Sequence, residues 1–107
     1  MLLRGFAGHI PAVRPDHGGR LELKLQDASD STARYTLTVY TPDSERSAPA
    51  SIDVASEETE LGAFSDGPPP AWLEAFARTL LRSVLRTKKS EGDWPRRLTR
   101  WRPEPKD

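Results

Sequence analysis

RLELKLQDASDSTARYTLTVYT, residues 20–41, is the stretch on which the fold turns. Within RLELKLQ (20–26), Leu21, Leu23 and Leu25 occupy every second position, with Arg20, Glu22, Lys24 and Gln26 between them. Successive side chains of a strand point to opposite faces, so this spacing predicts a half-buried strand. The polar run DASDST (27–32) reads as a turn. The alternation resumes in ARYTLTVYT (33–41), where Tyr35, Leu37 and Val39 alternate with Arg34, Thr36, Thr38 and Tyr40. Its β-branched and aromatic residues suit a pleated, half-buried surface. The two segments form matching halves of one sheet, apolar on one face and polar on the other.

Working outward, LLRGFAGHI (2–10) reads as a first strand weakened by Gly5 and Gly8, and PAVRPDHGG (11–19) as a loop. PDSERSAP (42–49) reads as a polar connector, and SIDVA (51–55) as a short strand with Ile52 and Val54 turned inward. Hairpin spacings make a sequential antiparallel meander the simplest topology. SEETELGAFSDGPPP (56–70) is an acidic, proline-rich loop with one short extended piece at about Leu61 to Phe64.

The period then changes. Over residues 71–89, Leu73, Phe76, Ala77, Leu80 and Val84 follow helical spacing, with Trp72 and Leu81 widening the stripe. Arg78, Arg82 and Arg86 recur every four residues on the other side, Lys89 continues the row, and Glu74 stands one turn from Arg78. Gly92 is the expected stop. A sheet and a helix with one apolar face each must pack together. The expected fold is therefore α+β: an antiparallel four-stranded β-meander, with room for a fifth strand, against one long C-terminal helix and followed by a short basic segment. The 107 residues are expected to form a single domain: sheet over 1–55, loop over 56–70, helix over 71–89, and a basic Trp/Arg segment and tail over 90–107.

Composition narrows the function. The absence of cysteine removes disulfides, thiolate nucleophiles and cysteine-based zinc sites together. No apolar run approaches the roughly 18 residues of a membrane span, and Arg4 interrupts too short an apolar start for a secretory leader, so a cytoplasmic protein with no membrane contact is expected. His9 and His17 offer no HxH or HxxxH pair, so no metal site is expected. Neither GxSxG, a Walker loop nor GxGxxG is present, and the chain reads as a non-enzyme with no catalytic residues and no cofactor.

Charge is the remaining signal. The net charge is zero, yet residues 1–70 carry 6 basic and 11 acidic side chains while residues 71–107 carry 10 basic and 5 acidic. WPRRLTRWR (94–102) is the densest part of the basic half. Asp93 and Pro95 predict a short helix there, with Trp94, Leu98 and Trp101 on one face and Arg96, Arg97 and Arg100 turned away. Arginine grips phosphate and an exposed indole stacks on unpaired bases. Arg78, Arg82, Arg86, Lys89, Arg96, Arg97, Arg100, Trp101 and Arg102 are therefore the candidate polyanion-binding residues, with Lys88 beside them. Trp94 and Trp101 serve equally well as a clamp over the core, and of the two Trp101 is expected to be the more exposed.

Two further surfaces stand open: a polar sheet face bearing Arg20, Lys24, Arg34, Thr36, Thr38 and Tyr40, and the acidic loop SEETE (56–60). The loop is either solvated or docked on the basic C-terminal elements. The element order, four strands and then a helix, resembles that of the PUR-type modules, which implies single-stranded nucleic acid as ligand. The leading expectation is a small binding module for nucleic acid. The alternative is a protein-interaction or homo-oligomeric assembly module, a homodimer or a receptor for an acidic protein surface.

Overall fold

The structure, a computed structural model, describes residues 14–105. The strand expected over residues 2–10, and His9 with it, lie outside the described residues. The remainder comprises β1 (Gly19–Ala28), β2 (Thr32–Tyr40), β3 (Glu45–Asp53), β4 (Glu58–Leu61), the helix α1 (Ala71–Glu91) and β5 (Arg97–Arg102). The five strands form one antiparallel sheet in the order β4-β3-β2-β1-β5. The α+β class, the antiparallel meander and the single long helix are as the periodicities require.

The two decisive strands pair as their alternation demands. Leu21 faces Val39, Leu23 faces Leu37 and Leu25 faces Tyr35. A bulge between Leu25 and Asp27 then sets Asp27 beside Arg34. Leu21, Leu23, Leu37 and Val39 are fully buried, joined from β3 by Ala50 and Ile52. Helix α1 lays Leu73, Ala77, Leu80, Leu81, Val84 and Leu85 on this surface, with Phe76 and Trp72 half-buried at its margin. Pro70 stands at the N-cap, where its carbonyl accepts the N–H groups of Leu73 (3.0 Å) and Glu74 (3.1 Å), and Gly92 ends the helix in the left-handed conformation with its N–H on the Lys88 carbonyl (2.8 Å).

Four readings are corrected. The connector PDSERSAP is largely strand, because β3 begins at Glu45. Its inward residues Ala48 and Ala50 are too small to register as an apolar alternation, and Pro49 looks like a breaker. Pro49 is tolerated because its backbone faces the β4 side, where its carbonyl accepts the Gly62 N–H (2.8 Å) and no bond to β2 is lost. The extended piece expected at Leu61 to Phe64 forms slightly earlier, as β4. Gly19, read as loop, opens β1 opposite Arg102, and a Cβ there would stand 2.4 Å from the Leu73 side chain.

The largest correction concerns residues 94–102. They form no helix: Arg97–Arg102 is the fifth strand, hydrogen-bonded to β1 and antiparallel to it. Sheet residues therefore do not stop at residue 55. With no partner in view, the Trp94, Leu98, Trp101 spacing and the cap at Asp93 favour a helix. The open edge of β1 overrides that preference, because its backbone groups need partners.

Replacement of Leu80, 5% exposed in the middle of the helix stripe, by alanine is expected to cost about 2–5 kcal/mol in urea unfolding. A loss below roughly 0.5 kcal/mol would contradict this helix–sheet packing.

Candidate functional site

Strand pairing decides where each basic residue of the last strand points. Residues directly opposite one another in an antiparallel pair share a face. Leu98, Arg100 and Arg102 oppose Leu23, Leu21 and Gly19, so they lie on the helix side of the sheet. Arg97, Thr99 and Trp101 oppose Lys24, Glu22 and Arg20, on the outer face. Side-chain contacts agree. The Arg102 guanidinium stands over the Phe76 ring of α1 at 5.0 Å from its centroid, and Arg97 reaches Glu22.

The nine candidates thus divide. Arg78, Arg82, Arg86 and Lys89 line the exposed side of α1, Arg100 and Arg102 sit on the helix side of β5, and Arg97 and Trp101 lie on the outer face. Arg96 immediately precedes β5, and its carbonyl accepts the Leu25 N–H (2.9 Å). Several charges are already answered. Arg78 pairs with Glu74 (2.9 Å), Arg82 donates to the Thr79 hydroxyl (3.2 Å), and Lys89 pairs with Glu57 of the acidic loop. Among the described residues that exposed pair is the one ion pair between the loop and the basic half of the chain. Among the described residues no carboxylate bridges Arg82, Arg86, Arg96, Arg100 or Arg102.

The two tryptophans of the segment have separate roles. Trp94 is half-buried against the core, its indole N–H donates to the Ser29 carbonyl (2.8 Å), and Lys88 stands 5.3 Å from its ring. Beside it the buried Tyr35 hydroxyl donates to the Pro95 carbonyl (2.7 Å); burial pushes this phenol up to about 12, so it stays a donor. Together they tie the helix exit to β2 and to the turn before it. Trp101 is 45% exposed, the only exposed large apolar side chain among the described residues. Its indole N–H donates to the His17 carbonyl (3.0 Å), and the His17 ring stands edge-on to it at 5.2 Å. The aromatic surface is held in place and remains open.

Glu22 organises the outer face around Trp101. One carboxylate oxygen takes Arg97 Nε at 2.8 Å and Arg97 Nη2 at 2.6 Å, while the other accepts the Tyr40 hydroxyl at 3.2 Å. Burial raises the Glu22 pKa, but the hydrogen bond and charge of Arg97, with Tyr40 and Lys24, outweigh it and leave the carboxyl below the ordinary glutamate value. Arg34 pairs with Asp27 at the bulge, an exposed contact that holds the Asp27 carboxyl low. Neither Glu22 nor His17 stands out in the sequence as part of a site. Glu22 looks like a dilution of a basic face, and only the β1–β5 register shows that it orients Arg97.

Among the described residues no cluster of three metal-ligating side chains occurs, and no helix is long and apolar enough to cross a membrane. Comparison with protein-family models, curated proteins and solved structures finds no match.

A carboxyl whose pKa is depressed in the folded state adds stability above its unfolded pKa and loses it as pH falls through the folded one. Glu22→Gln is therefore expected to lower the thermal midpoint at neutral pH, and the gap to wild type should close as the solution becomes acidic. A gap of constant size across that range would assign the loss to packing rather than to the Arg97 ion pair.

Proposed function

We propose that this chain is a small non-enzymatic binding module that holds single-stranded nucleic acid along β5, with Trp101 as the stacking surface. The observation that carries the reading is an exposed indole, fixed at its nitrogen, within a strand of arginines. Base stacking on an aromatic side chain is worth about 1–3 kcal/mol and is open only to unpaired bases. Arg96, Arg100 and Arg102 have no carboxylate partner among the described residues; Arg100 and Arg102 lie across the sheet edge from the ring, on the helix side, where they can meet phosphates of a strand that follows that edge. Arg97 is oriented by Glu22, and Lys24 lies exposed beside it on the outer face.

The helix row has a lesser part in this reading. Arg78 and Lys89 are engaged by Glu74 and Glu57. Arg82 and Arg86 extend the positive field on the helix side and favour encounter with a polyanion without gripping a particular group. The acidic end of the sheet, with Glu58 and Glu60 on β4, lies at the far edge from β5 and disfavours a polyanion there.

The test is a titration with single-stranded DNA, RNA and duplex DNA over a range of salt. Trp101→Ala should weaken single-strand binding by about 1–3 kcal/mol while duplex binding, already weaker, changes little. Arg100→Ala with Arg102→Ala should flatten the salt slope by up to about one unit per lost phosphate contact and leave the fold intact. Failure to bind any of the three at low salt, or a preference for duplex that Trp101→Ala leaves unchanged, would overturn the proposal.

A further inference from the structure

Among the described residues strand β5 ends the sheet, and one side of its backbone faces no further strand. In an antiparallel ladder the N–H and C=O of one residue face the same neighbour, and successive residues face opposite neighbours. The Leu25 N–H donates to the Arg96 carbonyl at 2.9 Å, and the register continues through Leu23 with Leu98, Leu21 with Arg100 and Gly19 with Arg102. The even-numbered residues of β5 therefore direct their backbone groups to β1. Those of Arg97, Thr99 and Trp101 point away from the sheet. Among the described residues only one of these groups has a partner: the Thr99 carbonyl accepts Arg100 Nη1 at 2.9 Å.

The geometry points to β5 as the acceptor for an extended acidic strand of a partner protein, added to the sheet edge through Arg97, Thr99 and Trp101. Main-chain hydrogen bonds would supply affinity in such strand addition, and alternate side chains would supply specificity. Charge selects the occupant. Arg96, Arg100 and Arg102 flank the open groups with no bridging carboxylate among the described residues. Arg100 leaves the Thr99 carbonyl to meet a carboxylate of the incoming strand, and that carbonyl then takes a backbone N–H. Arginines on an edge also repel another basic strand, so two copies of β5 do not pair with each other. This inference uses the backbone of β5 and does not rest on nucleic-acid binding.

Thr99→Pro separates the two. The Thr99 N–H points outward, so proline there removes a bond to an incoming strand and none to β1. The probe is a synthetic peptide alternating glutamate with valine, with a lysine–valine peptide as control. The acidic peptide should bind at low salt and slow amide hydrogen exchange at Arg97, Thr99 and Trp101 in the wild-type protein. Thr99→Pro should weaken that binding at least tenfold while oligonucleotide affinity is unchanged, and Trp101→Ala, which keeps the outward backbone groups, should weaken oligonucleotide binding by the larger factor. No acidic-peptide binding at low salt, equal binding of the lysine peptide, or binding without protection of those three amides would each overturn the inference. So would capture of the edge by a second copy through Glu58 and Glu60, seen as a concentration-dependent rise in mass that Glu58→Lys with Glu60→Lys abolishes.

Discussion

Everything in this structure hangs on β1, because it is paired along both edges while one of its faces is sealed by the helix. Leu21 and Leu23 are fully buried under α1 with their backbone groups bonded to β5, while those of Arg20, Glu22 and Lys24 between and beside them face β2. A slip of one residue in either ladder would carry these leucines to the solvent face and bring Glu22 into the core. That penalty fixes the register of β2 and β5 together. The register in turn sets which arginines see the helix and which see water. Gly18 and Gly19 let the chain enter this crowded position: a Cβ on Gly18 would stand 2.4 Å from the Arg102 carbonyl oxygen, and Gly18 adopts a φ of 72°.

The return of the chain after α1 is held by polar contacts as much as by packing. Trp94 reaches Ser29 in the turn between β1 and β2, and Tyr35 reaches Pro95. Lys88 stands over Trp94 near the helix C-terminus, and Arg102 stands over Phe76 near its start. Strand β5 therefore runs back along the helix, and a segment with only one inward leucine, Leu98, gains a fixed place. An edge strand of this kind needs little apolar content, because its inner neighbour and the helix supply the buried surface.

Electrostatics follow the same logic. The outer face pairs most of its charges locally, Arg97 with Glu22 and Arg34 with Asp27. The edge does not: Arg96, Arg100 and Arg102 have no carboxylate bridge among the described residues. The opposite edge carries Glu58 and Glu60. The charge asymmetry between the two halves of the chain thus becomes a polarity across the sheet, since the acidic β4 and the basic β5 are its two outermost strands. Such a polarity bears on encounter with charged partners more than on stability, because exposed pairs contribute little to folding.

The sequence by itself determined the elements whose burial is periodic. Leu21, Leu23 and Leu25 against Tyr35, Leu37 and Val39, and the stripe from Leu73 to Val84, are legible because each buries one face at the period of its own backbone. The cap at Gly92 was equally legible, as a local conformational need. What the sequence left undecided was β3, where Ala48 and Ala50 carry the inward pattern and Pro49 disguises it, and above all β5. RLTRWR has no apolar face at the strand period, since Arg100 and Arg102 share the helix side with Leu98, and the one apolar spacing it carries, Leu98 with Trp101, is helical. Only the unpaired backbone of β1, exposed until the chain returns, makes it a strand. The candidate site was legible in kind, as arginines around a tryptophan, but not in arrangement. Trp101 is exposed because of a register set by residues more than 70 positions earlier in the chain, and Trp94 is half-buried against the core with its indole on Ser29, 65 positions earlier. Local preference chose elements wherever a segment carried its own burial pattern; tertiary pairing chose wherever a neighbour's unsatisfied hydrogen bonds outweighed it.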